Sequence, residues 1–265
     1  MLWRPVKTPV DAETLVFRCN VCGGENDLPR TAFSRETGIC VHCRSTVRWR
    51  AILHILSVEL FGESLALPDF PSLPELAGLG LSDWEGYALP LAGKLGYTNT
   101  YFDRAPRLDL TAIPPDLEDR FDFVVASDVL EHVAPPVSVA FANLRALLRP
   151  GGVSVLTVPY ELEGETVEHF PDLHEFELVE REDDGWELRN TTPTGEAQVF
   201  RDLVFHGGVG ATLEMRVFAQ RPFLEELRRA GFGELEFYDT ETAGWGIVWV
   251  EDRSLPLAAR VPAAD

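Results

Sequence analysis

The sequence predicts an α/β protein, a doubly wound sheet with a small N-terminal attachment, on three observations. From about residue 74 onward, short apolar runs alternate with helical periodicity. All four cysteines fall within the first 45 residues, as two Cys-x-x-Cys pairs. The 265 residues are 45% hydrophobic and 25% charged, a globular composition with material for one sizeable core.

The cysteine pairs are Cys19 and Cys22 in CNVC, and Cys40 and Cys43 in CVHC, with seventeen residues between them. Two such knuckles can close a tetrahedral thiolate shell, and the spacing is that of a zinc ribbon. Iron would fit the same four thiolates. The N-terminal stretch MLWRPVKTPVDAETL lacks the apolar run of a secretion signal, which makes two disulfides the lesser reading. His42 lies inside the second knuckle, but four cysteines already complete the shell. A closed shell leaves no open position, so the expected Zn2+ is structural. Residues 1–50 are therefore read as a zinc-ribbon-like module.

RSTVRWRAILHILSVELFG follows, with Val47 and Trp49 leading into Ile52, Leu53, Leu56 and Leu60 at helical spacing. This helix is expected to end near Gly62, with His54 a packing or surface residue. The proline-rich LALPDFPSLPELAG then reads as a linker, so residues 51–73 are helix and linker.

In the main domain, read as 74–253, the expected strands are Leu76–Leu81, Asn99–Asp103, Phe121–Ser127, Val153–Val158, Glu234–Tyr238 and Gly246–Val250. Expected helices are Tyr87–Leu95, Val137–Leu148 and Pro222–Ala230. The middle one is best defined: Val137, Phe141, Leu144 and Leu148 mark a face, Pro135-Pro136 open it and Pro150-Gly151-Gly152 close it. Residues 161–220 form a long insertion after the fifth strand, and 254–265 read as a C-terminal tail.

The run FDFVVASDVLEHVAPPVSVAFANLRALLRPGGVSVLTVPY joins a buried strand, a polar loop holding Glu131-His132, a helix and a Pro-Gly-Gly turn. It closely resembles the strand-four to strand-five unit of the class I S-adenosylmethionine-dependent methyltransferases, of the type 11/23 kind. FLEELRRAGFGELEFYDTE similarly resembles that family's last helix and strand. The resemblance implies a Rossmann-like fold and S-adenosylmethionine as cofactor. Ligands of open parallel sheets sit beyond the carboxyl ends of the strands. The implied cofactor-binding residues are Gly78, Gly80, Ser82, Asp83, Asp103, Asp109, Leu110, Ser127 and Asp128. Asp103, after the second strand, is matched to the acid that holds the ribose. Asp109, at the end of a short third strand, is matched to the acid near the adenine amine. The short gap between them suggests that the intervening helix is missing.

LAGLGLSDWEGY departs from the family's first motif. Two registers fit, Gly78-x-Gly80-x-Ser82 or Gly80-x-Ser82-x-Trp84, and either way one family glycine is Ser82. The usual acid before the motif is absent. Ser82 fits such a turn if its φ stays negative, and the stretch is read as an altered cofactor loop.

Methyl transfer from a sulfonium requires alignment of the acceptor and exclusion of water. A hydroxyl acceptor also requires a base, and His132 is the first candidate, with a hydrogen-bonding or capping role as the alternative. The second candidate is His206, in HGG within the insertion; its bland alternative is a hydrogen-bonded His in a tight glycine turn. His169 and His174, five apart around Pro171, are a poor helical metal pair. The insertion is expected to cover the acceptor pocket.

The formal net charge is −20. Residues 1–50 carry eight Lys/Arg against five Asp/Glu, a balance of +3, leaving −23 for the remainder. Such a surface repels phosphate backbones, so nucleic acid is disfavoured as a partner. With no apolar run long enough to span a bilayer, a cytoplasmic location is expected. The favoured activity is methylation of a small molecule or saccharide, at oxygen. The alternatives are a zinc-containing RNA methyltransferase and a non-catalytic binding protein on a degenerate methyltransferase fold.

Overall fold

A computed structural model describes residues 13–182 and 185–264; the first twelve residues of the expected module lie outside them. The N-terminal module opens with the hairpin β1 (Thr14–Arg18) and β2 (Glu25–Pro29). Helix α1 (Val47–Phe61) follows, capped at its start by Thr46, whose hydroxyl accepts from the Trp49 amide, and stopped by Gly62 at φ 73°.

The main sheet comprises β3 (Leu73–Leu81), β4 (Leu95–Thr100), β5 (Phe121–Ser127) and β6 (Leu148–Thr157), all mutually parallel, with helix α2 (Glu85–Ala92) after β3 and α3 (Ser138–Leu147) after β5. The insertion contributes β7 (Tyr160–Glu161), β8 (Val167–Glu168), β9 (Glu175–Glu180), β10 (Trp186–Thr191), β11 (Ala197–Phe200), β12 (Phe205–His206), β13 (Thr212–Leu213) and β14 (Arg216–Ala219). Helix α4 (Gln220–Ala230), β15 (Glu234–Phe237) and β16 (Leu257–Arg260) complete the chain. The sheet order is β15-β16-β6-β5-β3-β4, with β16 antiparallel to both neighbours.

Side chains alternate across β5 with the period of a strand buried on both faces. Phe123 and Val125 face α1, α2 and the cysteine module, alongside Ile52, Leu53, Leu56, Tyr87 and Leu91. Val124 and Ala126 face the opposite way, onto Phe141 and Leu144 of α3 and Phe223 and Leu227 of α4. The module and the sheet thus share one hydrophobic core, and α1 is a covering helix of the sheet. Phe170, Leu188, Leu213 and Met215 form a separate small core in the insertion.

Several elements differ from expectation, the first being the second strand: expected over Asn99–Asp103, it runs over Leu95–Thr100 and leaves Asp103 beyond its end. Gly246–Val250 is not a strand: Gly246 has φ 66°, and Ile247 and Val248 are buried against the module. A Cβ on Gly246 would come within 2.5 Å of the Phe17 ring. The strand that enters the sheet is β16, within the expected tail. It is inserted between β15 and β6, and its apolar Leu257, Ala258 and Ala259 are buried on both faces. No third strand holds Asp109 among the described residues; there is only an isolated bridge between Tyr101 and Arg107, and β4 is the sheet edge.

Candidate functional site

The registers Leu81 with Thr100, Val125 with Gly80 and Ser127 with Thr157 align the carboxyl ends of four parallel strands along one edge. At that edge the cysteine module comes down onto β5. Arg35 donates to both carboxylate oxygens of Asp128, at 2.5 and 2.9 Å. Arg48 donates to Ser127 Oγ at 2.5 Å and holds Glu36 at 2.6 Å. Thr157 Oγ1 donates to Asp128 at 2.9 Å. Burial alone would raise the Asp128 pKa, but the two guanidinium groups outweigh it and hold the carboxyl well below the usual carboxylate range.

The glycines expected to cradle cofactor lie within β3 and leave space for side chains. A Cβ on Gly78 would stand 2.0 Å from the Phe123 ring, and one on Gly80 would stand 1.9 Å from Tyr97 Oη. Ser82 adopts φ 60°, not the negative value expected of a serine in this loop, so the turn runs through the left-handed region without a glycine. Asp83 turns inward, only 4% exposed, and accepts from Tyr97 Oη at 2.5 Å. Burial lifts its pKa to about 7. Trp84 stacks on Trp49 of α1 at 4.1 Å between ring centroids. Beyond β4, Asp103 is exposed, and Asp109 accepts from the Thr111 amide and hydroxyl at 2.9 and 2.7 Å, a local turn. Leu110 is buried, and its carbonyl accepts from Asn143.

The two histidines singled out from sequence, seventy-four positions apart, come together, their ring centroids 4.7 Å apart. The loop after β5 carries His132, and β12 of the insertion carries His206, next to a turn in which Gly207 and Gly208 have φ 77° and 120°. Backbone bonds lock the two segments: Met215 N–H donates to the Glu131 carbonyl, and Arg216 Nη1 donates to the Leu130 carbonyl. His132 Nδ1 lies 2.8 Å from the Leu213 carbonyl. Glu214 bridges His206 and His169, at 2.8 and 2.9 Å from their Nε2 atoms. Burial lowers the His132 pKa, keeping the imidazole neutral near pH 7. Beneath both rings lies Glu131, fully buried; burial, followed by the Asp128 charge, raises its pKa well above normal. His174 is elsewhere; its amide donates to Asn190 Oδ1.

Sequence reasoning placed Glu131 beside His132, and Glu214 near His206 along the chain, but did not bring these two and His169 into one cluster, nor Arg35 and Arg48 onto Asp128. Glu131 carried one signal, its adjacency to His132; the arginines carried none.

The four cysteine Sγ atoms lie within 4.8 Å of one another, with Cys19–Cys43 and Cys22–Cys40 both at 3.7 Å. A tetrahedron with Zn–S bonds of about 2.3 Å has edges of roughly 3.8 Å, so the four thiols fit such an ion. His42 points away from them, its Nε2 at 2.9 Å from the Glu25 carbonyl. A concavity of about 270 Å³ is bordered by Asp122, Arg149, Gly152 and Arg260, at the amino ends of β5 and β6 and away from this chemistry.

Residues 85–186 match the family model described as a methyltransferase domain. No curated protein matches the sequence. Solved structures with similar folds include an S-adenosylmethionine-dependent methyltransferase from Mesorhizobium loti, at 16% identity and a TM-score of 0.46, covering 82% of this chain and 99% of that one. Another is 1,6-didemethyltoxoflavin-N1-methyltransferase from Burkholderia thailandensis, at 17% identity and a TM-score of 0.41, covering 80% and 79%. The parallel strands β6-β5-β3-β4, with the antiparallel β16 set between β15 and β6, form a Rossmann-like α/β sheet, and residues 85–186 are similar to a methyltransferase domain.

Proposed function

We propose that the protein methylates an oxygen of a small-molecule or saccharide acceptor bound between the loop after β5 and the insertion. The observation that carries this reading is the union of His132, from the catalytic edge of the sheet, with His206, from the insertion. An acceptor seated there meets a neutral imidazole able to take a proton, at a distance from bulk water set by the insertion. S-adenosylmethionine would lie across the carboxyl ends of β3, β4 and β5, where Ser82, Asp103 and Asp109 are the carboxylate and hydroxyl groups left accessible; Gly78, Gly80, Asp83, Leu110, Ser127 and Asp128 would shape that surface from beneath. The cysteine module would hold a structural Zn2+. RNA is the weaker reading, because five of the module's cations are spent internally: Arg18 on Asp69, Arg30 on Glu241, Arg35 on Asp128, Arg48 on Glu36, and Arg50 buried against backbone carbonyls.

Calorimetry with S-adenosylmethionine, followed by a radiolabelled methyl-transfer screen over hydroxylated small molecules and saccharides, tests this. His132→Ala should leave cofactor affinity unchanged and lower turnover by roughly 10²-fold or more. Unchanged turnover would remove His132 from the acceptor side.

A further inference from the structure

Two imidazole nitrogens and a buried carboxyl group meet between the loop after β5 and the insertion, with no hydrogen bond between the carboxyl and either ring. The Leu213 carbonyl can only accept, so His132 must carry its proton on Nδ1, leaving a lone pair on Nε2. The Glu214 carboxylate likewise fixes the proton of His206 on Nε2, at 2.8 Å, leaving a lone pair on Nδ1. Both free nitrogens face Glu131 Oε1, His132 Nε2 at 3.8 Å and His206 Nδ1 at 4.0 Å. Glu131 is 0% exposed, and neither of its carboxylate oxygens has a hydrogen-bond partner among the described residues. Buried carboxyl oxygens left without a partner cost free energy, which a cation bound to them would offset.

We propose that Glu131, His132 and His206 form a binding site for a divalent transition-metal ion. Two imidazoles and one carboxylate are the donor set of open, three-ligand metal sites. A tetrahedral ion with bonds of about 2.1 Å to nitrogen and oxygen sets its ligand atoms roughly 3.4 Å apart; the three groups here lie within 4.8 Å of one another, with 3.8 and 4.0 Å from Glu131 to the two rings, so each would draw in by a few tenths of an ångström or more on binding. The outer partners are those that metal-bound histidines use: a backbone carbonyl behind His132, and a carboxylate behind His206. Glu214 is itself steadied by His169. The His206 side chain is 35% exposed, against 12% for His132, so the open coordination positions face the mouth of the site. An ion there would take hydroxyl or carboxylate oxygens of an acceptor and make a bound hydroxyl more acidic; with the His132 Nε2 lone pair on the ion, the metal would replace the free imidazole as the group that promotes loss of the hydroxyl proton to solvent. The ion's binding stands on these ligands alone; its role in holding an acceptor rests on the function proposed above.

The test uses the full chain with its cysteine site loaded with zinc. Mn2+ is titrated by electron paramagnetic resonance, and total Zn2+ is counted by mass spectrometry after exposure to a tenfold excess. The expected result is one further equivalent of metal per chain. Glu131→Gln, which keeps the side-chain shape, and His206→Ala, at the exposed rim, should each weaken it at least tenfold with the thermal transition retained. Glu214→Gln should weaken it by about tenfold, and His174→Ala should leave it unchanged. Metal confined to one equivalent with both ions overturns the proposal, as does wild-type affinity in Glu131→Gln. Calorimetry with S-adenosylmethionine on the same samples separates the two readings. Cofactor binding without the second metal removes the metal site and leaves methyl transfer standing; the second metal without cofactor binding does the reverse.

Discussion

The guanidinium of Arg35 grips both oxygens of Asp128, and so ties the cysteine module to the end of β5. Arg48 lies 3.4 Å from the same carboxylate. The pair is bidentate, and the side chains are 21% and 18% exposed, between a surface pair and a fully buried one. Arg35→Ala is therefore expected to cost about 2 kcal/mol in denaturant unfolding. A double-mutant cycle with Asp128→Asn should return a coupling of about 1 kcal/mol or more. Because the Asp128 pKa is depressed in the folded state, its contribution is present above the ordinary carboxylate range and is lost as pH falls below it. A coupling near zero would mean that the module docks through its apolar contacts alone.

Asp83 gives the opposite pH sign. Burial lifts its pKa from 3.8 to about 7, so the folded state binds the proton more tightly than the unfolded chain. Its contribution is fully present below about pH 4 and is lost as pH rises through 7, an effect of at most about 4 kcal/mol. Asp83→Asn, neutral at every pH, should gain stability relative to wild type when the pH is raised from 5 to 8. Parallel stability profiles for the two proteins would show that Asp83 does not titrate in this window.

Two glycines separate packing from accident. An added methyl at Gly80 meets Tyr97 Oη at 1.9 Å and Asp83 Oδ2 at 2.5 Å, both ends of one buried hydrogen bond. Gly80→Ala should destabilise by roughly 1–3 kcal/mol. At Gly244 nothing lies within 4 Å and φ is not left-handed, so Gly244→Ala should fall within about 0.5 kcal/mol of wild type by thermal unfolding.

The proposed zinc makes the cysteine module the weak point of the whole fold. Cys19 and Cys40 are fully buried in the same core as Phe123 and Val155 of the sheet. Metal stripping, or Cys40→Ser, should release one zinc per chain and lower the melting temperature by roughly 10 °C or more, in a single transition shared by module and sheet. Two separate transitions would show that the module unfolds on its own.

The strands β3, β5 and β6, helices α3 and α4, and both cysteine knuckles were legible because each is set by local physics: hydrophobic period, proline and glycine boundaries, ligand spacing. Errors came where burial depends on a remote segment. Ile247 and Val248 are apolar because they cover Phe17 and α1, and this imitated a strand; LAAR, short and unremarkable, is the strand that fills the gap beside β6.

What the sequence by itself determined is the class of fold, the order of its elements and the two histidines worth watching. Which atoms those histidines offer was decided by the tertiary structure. Leu213 and Glu214 claim one nitrogen of each ring, and the other two then face Glu131. Likewise, the family-like glycines became packing space for Phe123 and Tyr97, and a module read as an attachment became the neighbour of Asp128. Local periodicity acts over a few residues, whereas hydrogen-bond direction and charge pairing depend on partners brought in from 80 or 90 positions away, such as Leu213 for His132 and Arg35 for Asp128.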